Sequence, residues 1–182
     1  MVYIILAHGF EETEAIAPYD MLKRAGVETQ FAGVGGDLIV SGRGVTVKTE
    51  TTVDKIDAAS ADMIVCPGGL VGVDNILASE TAMNAVKCAY DNGKLTAAIC
   101  AGPTVLARLG ILEGKNAVCY PGLEERMTGA NISQEHSTVR DGLVITGRGA
   151  GAAIDFGLRL VEELCGREKA DEVCRSIHYE RR

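Results

Sequence analysis

The stretch AAICAGPTVLA, residues 97–107, decides the fold because an apolar strand-type run ends in it and a helix-forming run begins. Residues 94–99 end in apolar residues of the strand type. Residues 101–109 are rich in helix formers, with Pro103 in the first turn, where its missing N–H costs nothing. Cys100 therefore lies between a predicted strand and the N-terminus of a predicted helix.

Cys100 is the first candidate for chemistry because of this position. Unpaired N–H groups at a helix N-terminus act like about half a positive charge and stabilise a thiolate, so we expect a lowered pKa and a nucleophilic, oxidisable sulfur. The alternative is a small buried apolar side chain, which describes most cysteines. The Gly102-Pro103 pair, which signals a turn, comes just after Cys100 and favours the functional interpretation.

Strand-type and helix-type runs alternate on both sides of this stretch. The predicted strands are residues 2–7, 27–34, 63–66, 94–99, 117–120 and 143–146, with a short hairpin over 37–48. The predicted helices are one that ends at Gly26, then residues 79–92, 101–109, 154–165 and 167–176. This alternation predicts an α/β fold, a doubly wound parallel sheet with helices on both faces.

The chain is expected to form a single domain over residues 1–182. Its 182 residues contain no linker, repeat or low-complexity stretch, and 47% of them are hydrophobic, which is enough for a sizeable core. Ligands of such sheets bind outside the carboxyl ends of the strands. Cys100, Gly68 and Gly69 are all predicted to lie at that edge.

Composition argues against several classes of partner. A net charge of −7 with 4% aromatic residues offers neither the basic face nor the stacking platforms that nucleic acids require. The apolar runs are much shorter than the roughly 20 residues that span a bilayer, and no secretory signal is recognisable. We therefore expect a cytoplasmic protein with reduced thiols and no nucleic-acid or membrane partner.

Two further motifs do not predict a metal or a cofactor. No C-x-x-C occurs, and Cys165 and Cys174 lie too far apart for a zinc knuckle. Gly147, Gly149 and Ala152 satisfy the dinucleotide pattern G-x-G-x-x-A before a helix, but no strand is predicted to follow that helix. A tight strand-to-helix packing turn explains these glycines, and we expect neither a metal nor a cofactor.

Three segments together resemble the DJ-1 branch of the ThiJ/PfpI superfamily: GFEETEA after the first strand, VCPGG after a central strand, and AAICAGPTVLA. The resemblance runs from ILAHGFEETEAIAPYDMLKRAG to ITGRGAGAAIDFGLRLVEEL, almost the full length. It implies a flavodoxin-like, class I glutamine amidotransferase-like homodimer with an oxidation-prone cysteine and no cofactor. Members are glyoxalases that convert methylglyoxal to lactate, protein deglycases, redox sensors and chaperones.

The resemblance makes Cys100 the reactive thiol and Glu14 the acid that faces it. Taken alone, Glu14 and its neighbours Glu11 and Glu12 are typical of a solvated helix start. A carboxyl beside a thiolate has a raised pKa, because neighbouring anions disfavour each other. Protonated Glu14 would then donate a hydrogen bond to the sulfur and move protons in carbonyl chemistry.

The resemblance also implies an oxyanion hole formed by the backbone N–H groups of Gly69 and Ala101. Gly68 and Gly69 on their own would indicate only a tight bend. The protease-like branch has histidine directly after its cysteine, where this chain has Ala101, so we expect no peptidase activity.

Three further residues can be compared with those of the family: Tyr120, Arg24 and Arg43. Tyr120-Pro121 stands where glyoxalase-type members have a His-Pro pair, and tyrosine, with a pKa of about 10, is a poor base near pH 7. We expect a catalytic role for Tyr120, in which its hydroxyl donates a hydrogen bond or orients a water. Arg24 and Arg43 match arginines near the dimer seam and could form an anion pocket, with a solvated surface role as the alternative.

Two functional hypotheses follow for the same site. In the first, the protein is a cofactor-free enzyme whose Cys100 thiolate attacks a small α-oxoaldehyde, as a glyoxalase or a deglycase. In the second, it is a redox sensor or oxidative-stress chaperone whose Cys100 is oxidised by peroxide to sulfinate. The expected partners are a small aldehyde or peroxide and a second copy of the chain.

Overall fold

The computed structural model describes residues 1–133 and 135–180. Its strands are β1 Val2–Leu6, β2 Thr29–Gly33, β3 Leu38–Val40, β4 Thr46–Lys48, β5 Thr51–Thr52, β6 Met63–Cys66, β7 Leu95–Ile99, β8 Asn116–Ala117, β9 Asn131–Ile132, β10 Thr138–Asp141 and β11 Val144–Gly147. Its α-helices are α1 Glu12–Arg24, α2 Leu70–Ala78, α3 Glu80–Asp91, α4 Pro103–Arg108, α5 Ala153–Cys165 and α6 Arg167–Ser176. Within these described ranges, no helix is long and apolar enough to cross a membrane.

The central sheet has the strand order β10-β11-β7-β6-β1-β2-β5. All neighbouring strands in it pair in parallel, except β10 and β11, which are antiparallel. One core layer lies between the sheet and α2, α3 and α4, and the other lies between the sheet and α1, α5 and α6. The predicted doubly wound α/β fold is therefore confirmed.

The inner strands are apolar along their whole length because helices cover both faces of the sheet. Every residue of β6 is buried, and so are the last four residues of β7. The predicted hairpin is also present, as β3 and β4 pair in antiparallel fashion outside the central sheet. The apolar pattern and the turn residues of the sequence were enough to predict these elements.

Three parts of the sequence prediction were wrong or incomplete. Residues 117–120 do not form a strand of the central sheet. Only β8 is extended there, and it pairs with β9 in a separate two-stranded sheet. The helix α2 was not predicted, because it follows Gly69 without a side-chain cap and contains Gly72. The edge strands β5 and β10 were also missed, since both are short and half-buried.

The parallel arrangement places the carboxyl ends of β1, β6 and β7 side by side at one edge of the sheet. Each of these three strands is followed by a turn that leads into a helix: α1, α2 and α4, respectively. The residues that were singled out from the sequence lie in or just after these three turns. The fold thus brings together segments that are up to about 90 residues apart along the chain.

Candidate active site

Cys100 occupies a strained turn between β7 and α4. Its φ of 66° lies in the left-handed region, which costs a residue with a side chain roughly 1–2 kcal/mol. Two backbone hydrogen bonds hold the turn: the Cys100 N–H donates to the carbonyl of Gly147, and the Cys100 carbonyl accepts from the N–H of Tyr120, both at 2.9 Å. This conformation resembles the elbow that presents a nucleophile at the end of a strand. The side chain is partly exposed.

Glu14 lies in the first turn of α1 and is 1% exposed, although it carries a carboxyl group. Its carboxyl oxygens accept hydrogen bonds from the backbone N–H of Gly68, at 3.0 Å, and from that of Ala150. The Cys100 thiol donates a third hydrogen bond to the same carboxyl group. The buried acid is therefore held against the sulfur from two sides.

Gly68 and Gly69 are required by this close approach. A Cβ on Gly68 would lie 2.7 Å from the Cβ of Cys100 and would overlap the carboxylate of Glu14. Gly69 has a φ of 90°, and a Cβ there would lie 2.7 Å from the backbone nitrogen of Glu11. No other residue type fits either position without moving the site.

The backbone N–H groups of Gly69 and Ala101 both donate toward the Cys100 sulfur. They belong to different turns, the first after β6 and the second after β7, which are neighbours in the sheet. Two donors that converge on one point can hold an oxyanion that forms next to the sulfur. The structure thus brings Cys100, Glu14, Gly69 and Ala101 together.

Burial dominates the electrostatics of this pair. Loss of hydration raises the pKa of Glu14 to about 7, although the hydrogen bonds from Cys100, Gly68 and Ala150 act in the opposite direction. Loss of hydration also raises the pKa of Cys100 to about 12, and the charge of Glu14 and its hydrogen bond add to this effect. Between these two values, the pair holds one proton and one negative charge.

The prediction that Cys100 has a lowered pKa was therefore wrong for the resting arrangement. The helix that was expected to stabilise the thiolate is α4, which has only six residues. Its N–H groups lower the pKa of Cys100 less than burial and Glu14 raise it. The proton rests on the sulfur, and the carboxylate of Glu14 accepts it in a hydrogen bond.

Tyr120 lies next to Cys100 through its backbone, but its side chain points elsewhere. The ring lies over Gly149, where a Cβ would be 3.4 Å from Cδ2, and the side chain is 53% exposed. Within the ranges described, its hydroxyl group forms no hydrogen bond to Cys100 or Glu14. Tyr120 instead lines a polar cleft of about 850 Å³. Arg148 and Ala150 also line this cleft.

Arg24 and Arg43 are not brought together in one copy of the chain. Arg24 is in the last turn of α1, where it forms an ion pair of 2.8 Å with Asp20. The backbone N–H of Arg43 donates to the carboxylate of Glu12, the first residue of α1, at 2.7 Å. Twelve residues of helix separate these ends by about 18 Å, so a shared anion pocket would need a second copy.

Two residues of the site were not identified from the sequence. Gly147 accepts the N–H of Cys100, and Ala150 donates to Glu14. Both belong to the string GRGAGA, which satisfies the dinucleotide pattern, and here this turn supports the cysteine and the acid. A Cβ on Gly147 would also lie 2.9 Å from Ile99 and 3.0 Å from Phe156, which agrees with a packing turn.

Metal ligands do not cluster anywhere in the part of the chain that the structure describes. The groups that act on Cys100 are the carboxyl group of Glu14 and the backbone N–H groups of Gly69 and Ala101, and this set can hold and move a proton. Cys66 and Cys119 are buried, as cysteines that only pack in the core are, whereas Cys88 is exposed on α3 and is not a core residue.

Comparison with known proteins gives consistent results. The sequence model of the DJ-1/PfpI family matches residues 1–163. The chain is 37% identical over 177 residues to the protein dj-1beta of Drosophila melanogaster, covering 96% of this chain and 94% of that protein. It is 33% identical over 131 residues to a deglycase of Pyrococcus horikoshii, covering 72% and 78% of the two chains.

The fold agrees with that of solved relatives. The crystal structure of Drosophila melanogaster DJ-1beta superimposes with a TM-score of 0.95 at 35% sequence identity, covering 99% of this chain and 98% of that one. A TM-score this high over nearly the full length means that the same elements occur in the same order.

Proposed function

Because the chain belongs to the DJ-1/PfpI family, we propose that it is a cysteine-dependent, cofactor-free enzyme that acts on reactive carbonyl compounds. Its substrates would be an α-oxoaldehyde such as methylglyoxal, or the adducts that such aldehydes form on proteins. The name of the Pyrococcus horikoshii relative, a deglycase, supports the second class. Peptidase activity is not proposed, because Ala101 stands directly after Cys100.

The observation that carries this proposal is the hydrogen bond between the Cys100 thiol and the buried carboxyl group of Glu14. A nucleophile within hydrogen-bond reach of a base is the arrangement that covalent catalysis requires. The pKa of Glu14, raised to about 7, gives this group the affinity for a proton that a base near neutral pH needs. Glu14 is therefore proposed to activate the sulfur by accepting its proton.

The first chemical step then follows from the geometry. The proton moves from the sulfur to Glu14 as the sulfur forms a bond with the aldehyde carbon, and the electron pair of the C=O bond moves to oxygen. The N–H groups of Gly69 and Ala101 hold this oxyanion, each worth on the order of 3 kcal/mol in the transition state. Glu14 then returns the proton to the oxygen, which gives a hemithioacetal.

The remaining steps isomerise the hemithioacetal and add water. A base removes the proton from the former aldehyde carbon while the ketone oxygen is protonated, which gives an enediol. A proton then returns to the neighbouring carbon as the hydroxyl group on the former aldehyde carbon loses its proton, which gives a lactate thioester. Water then cleaves the C–S bond and releases lactate, and the thiol of Cys100 is regenerated. The sum is methylglyoxal plus water giving lactate, with no cofactor consumed.

The cleft next to Tyr120 favours substrates larger than methylglyoxal. Its volume of about 850 Å³ is in the range of sites for drug-sized ligands, and methylglyoxal would fill only a small part of it. Ala150 connects the two regions, because its N–H donates to Glu14 and it also lines the cleft. We propose that the cleft holds the body of a larger carbonyl adduct while its reactive carbon lies at Cys100.

The test is the loss of methylglyoxal and the formation of lactate by the purified protein, repeated with a glycated peptide. Cys100→Ser should lower kcat/KM by at least about 10³-fold, because the nucleophile is removed. Cys88→Ser is the matched control, since Cys88 is an exposed cysteine on α3, and it should leave kcat/KM unchanged. For the intact protein, kcat/KM should rise with pH through about 7, as Glu14 loses its proton.

Equal activity of the Cys100→Ser variant and the intact protein would refute this proposal. So would a complete absence of turnover with both substrates, which would leave the second candidate function. Activity on the glycated peptide alone would restrict the proposal to deglycation.

The second candidate is a redox sensor or oxidative-stress chaperone that acts through Cys100. One observation favours it: the hydroxyl of Tyr120 does not reach the sulfur, so Glu14 is the one side-chain base that the described residues place there. Peroxide would transfer one oxygen atom to the sulfur in each of two steps, releasing water each time and giving sulfinate. Protonated Glu14 and the two N–H groups could stabilise it. A gain of about 32 Da at Cys100 without carbonyl turnover would support this function.

We also propose that the protein works as a homodimer. Large apolar side chains are exposed on the β3–β4 hairpin and on α1, where Leu38 is 58% exposed, Val45 46% and Ile16 42%. Burial of such a surface favours association. A second copy is also what a shared pocket of Arg24 and Arg43 would require.

A further inference from the structure

A second cleft, of about 420 Å³, lies on the face of the sheet that α2 and α4 cover. The side chains of Arg108 and Arg126 both line it, together with Asp74. Arg108 is in the last turn of α4, Asp74 is on α2, and Arg126 ends a single 3-10 turn, Glu124–Arg126. Two arginines thus line one concavity in a chain whose net charge is −7.

The two arginines have few partners of their own. The side chain of Arg108 forms no ion pair or hydrogen bond within residues 1–133 and 135–180. Arg126 approaches one carboxylate, that of Asp74, at 3.9 Å, which is longer than a hydrogen bond, and both side chains of this pair are more than half exposed. Most of the N–H groups of the two guanidiniums are therefore available, and the charges that line the cleft sum to about +1.

Other side chains line the cleft in addition to the two arginines. Thr104 and Ala107, on the same face of α4 as Arg108, are buried side chains that form its floor. Thr128 adds a hydroxyl group at its rim. A planar guanidinium donates two parallel hydrogen bonds to a tetrahedral oxyanion, and two such groups with a hydroxyl match the several oxygens of a phosphate group.

We propose that this cleft binds a phosphate group, either as inorganic phosphate or as the phosphate of a small monoester. The volume is enough for a small phosphorylated molecule and much larger than one ion. The site lies apart from Cys100, since Arg108 is at the far end of α4, about 8 Å of helical rise beyond Pro103. Binding here does not depend on the function proposed for Cys100.

The position of the cleft also connects it to the active site. The helix α2 begins directly after Gly69, and α4 begins two residues after Ala101. Both helices line the cleft, so each of them begins next to one of the two N–H groups that donate toward Cys100. The hydroxyl of Thr104 donates to the carbonyl of Ala101 at 2.7 Å, which fixes this turn to the cleft floor. A phosphate that holds α4 against the neighbouring turn should therefore alter the environment of the Ala101 and Gly69 N–H groups.

The test is a titration of the full chain with inorganic phosphate at constant ionic strength, followed by amide and arginine side-chain NMR signals. We expect saturation with a Kd below about 10 mM, and shifts at Thr104, Ala107, Gly69 and Ala101. Arg108→Gln and Arg126→Gln should each weaken binding by at least about tenfold. Arg175→Gln is the matched control, because Arg175 is also an exposed arginine in the last turn of a helix, α6, and it should leave the Kd unchanged.

Glycerol phosphate and acetate distinguish the possible ligands. A Kd for glycerol phosphate at or below that of inorganic phosphate supports a monoester ligand, and weaker binding of the ester supports free phosphate. Equal binding of acetate overturns the phosphate assignment, and so does an unchanged Kd in both arginine variants or a lack of saturation up to about 50 mM. Saturation without shifts at Gly69 and Ala101 overturns the connection to the active site.

Discussion

The two edges of the central sheet use glycine for different reasons. At the amino edge, Gly26 precedes β2 and Gly93 precedes β7. Both have a positive φ, and a Cβ on either would meet nothing within 4 Å. At the carboxyl edge, a Cβ on Gly68 would overlap Glu14 and crowd Cys100. Glycine is thus needed at the amino edge for the backbone conformation alone, whereas at the carboxyl edge Gly68 is needed for space and Gly69 for both reasons.

This difference shows where the molecule gives up stability for chemistry. The amino-edge turns only reverse the chain, and their surroundings are open. The carboxyl edge holds a carboxyl group that is 1% exposed and a cysteine with a φ of 66°, and both of these features oppose folding. Features that cost folding free energy and cluster at one edge are typical of an active site.

The largest effect should come from Gly68→Ala. The added methyl group would displace Glu14 from the sulfur, and because Glu14 raises the pKa of Cys100, Cys100 should be alkylated faster at pH 8, by about tenfold for each unit by which its pKa falls. Crowding in a packed region should also lower the free energy of unfolding by about 3 kcal/mol. The measurements are the rate of Cys100 alkylation by iodoacetamide at pH 8, read by mass spectrometry, and urea unfolding.

Gly93→Ala is the matched control at the amino edge. Its φ of 73° makes alanine unfavourable by about 1 kcal/mol, but no neighbouring atom has to move. Cys100 should therefore be alkylated at the unchanged rate. Equal rates of Cys100 alkylation in the two alanine variants would show that the crowded glycine does not position Glu14.

A smaller effect, dependent on pH, should follow from Glu14→Gln. The pKa of Glu14 is raised to about 7 in the folded chain from an ordinary value near 4.5, so its contribution is fully favourable below about 4.5 and is lost as the pH rises through 7. Glutamine has no such dependence. At pH 8 the variant should therefore be more stable than the intact protein, by up to about 3 kcal/mol, and the difference should vanish near pH 4.

Urea unfolding of both proteins at pH 4, 6 and 8 measures this difference. Glu12→Gln is a suitable control because Glu12 lies in the same helical turn and its pKa is lowered, chiefly by a hydrogen bond from Ser41. Its effect should have the opposite sign, with stability lost at high pH relative to the intact protein. A constant difference between pH 4 and 8 for Glu14→Gln would contradict the assigned burial cost.

Most of the fold and the position of Cys100 could be predicted from the sequence, each from a different local signal. The alternation of apolar strands and helices reports burial directly, and it gave the central strands and most helices. The seam at Cys100 was visible because strand-type and helix-type residues meet there. The helix α2 was missed because a glycine turn leads into it without a side-chain cap, so no local signal marks its start.

The pKa of Cys100 could not be predicted from the sequence, whereas the raised pKa of Glu14 was expected from the resemblance and is present, with burial as its main cause. The pKa of Cys100 depends on how deeply the sulfur is buried and on the charge of Glu14, which is 86 residues away in the chain. The local sequence shows that Cys100 precedes a helix, but it shows neither the burial of the sulfur nor the charge of Glu14. These two effects change the pKa of Cys100 more than the N–H groups at the helix start do. The role of Ala150 could not be predicted either, because its N–H binds Glu14 although its own sequence context suggested a different ligand.

The smallest effect concerns the backbone at Cys100 itself. Because its φ is 66°, glycine should fit this position better than alanine, by about 1 kcal/mol in the free energy of unfolding. Two residues earlier, Ala98 is fully buried in β7, and Ala98→Gly should cost about 1 kcal/mol, since glycine weakens a strand and the methyl contact is lost.

The comparison therefore uses the same exchange, alanine against glycine, at positions 98 and 100, and expects opposite signs. Urea unfolding of Cys100→Gly, Cys100→Ala and Ala98→Gly measures it, with the intact protein as the reference for position 98. A lower stability of Cys100→Gly than of Cys100→Ala would mean that the turn holds no backbone strain. The elbow would then owe its conformation to the hydrogen bonds with Gly147 and Tyr120 alone, and the carboxyl edge would differ from the amino edge only in its crowding and its buried acid.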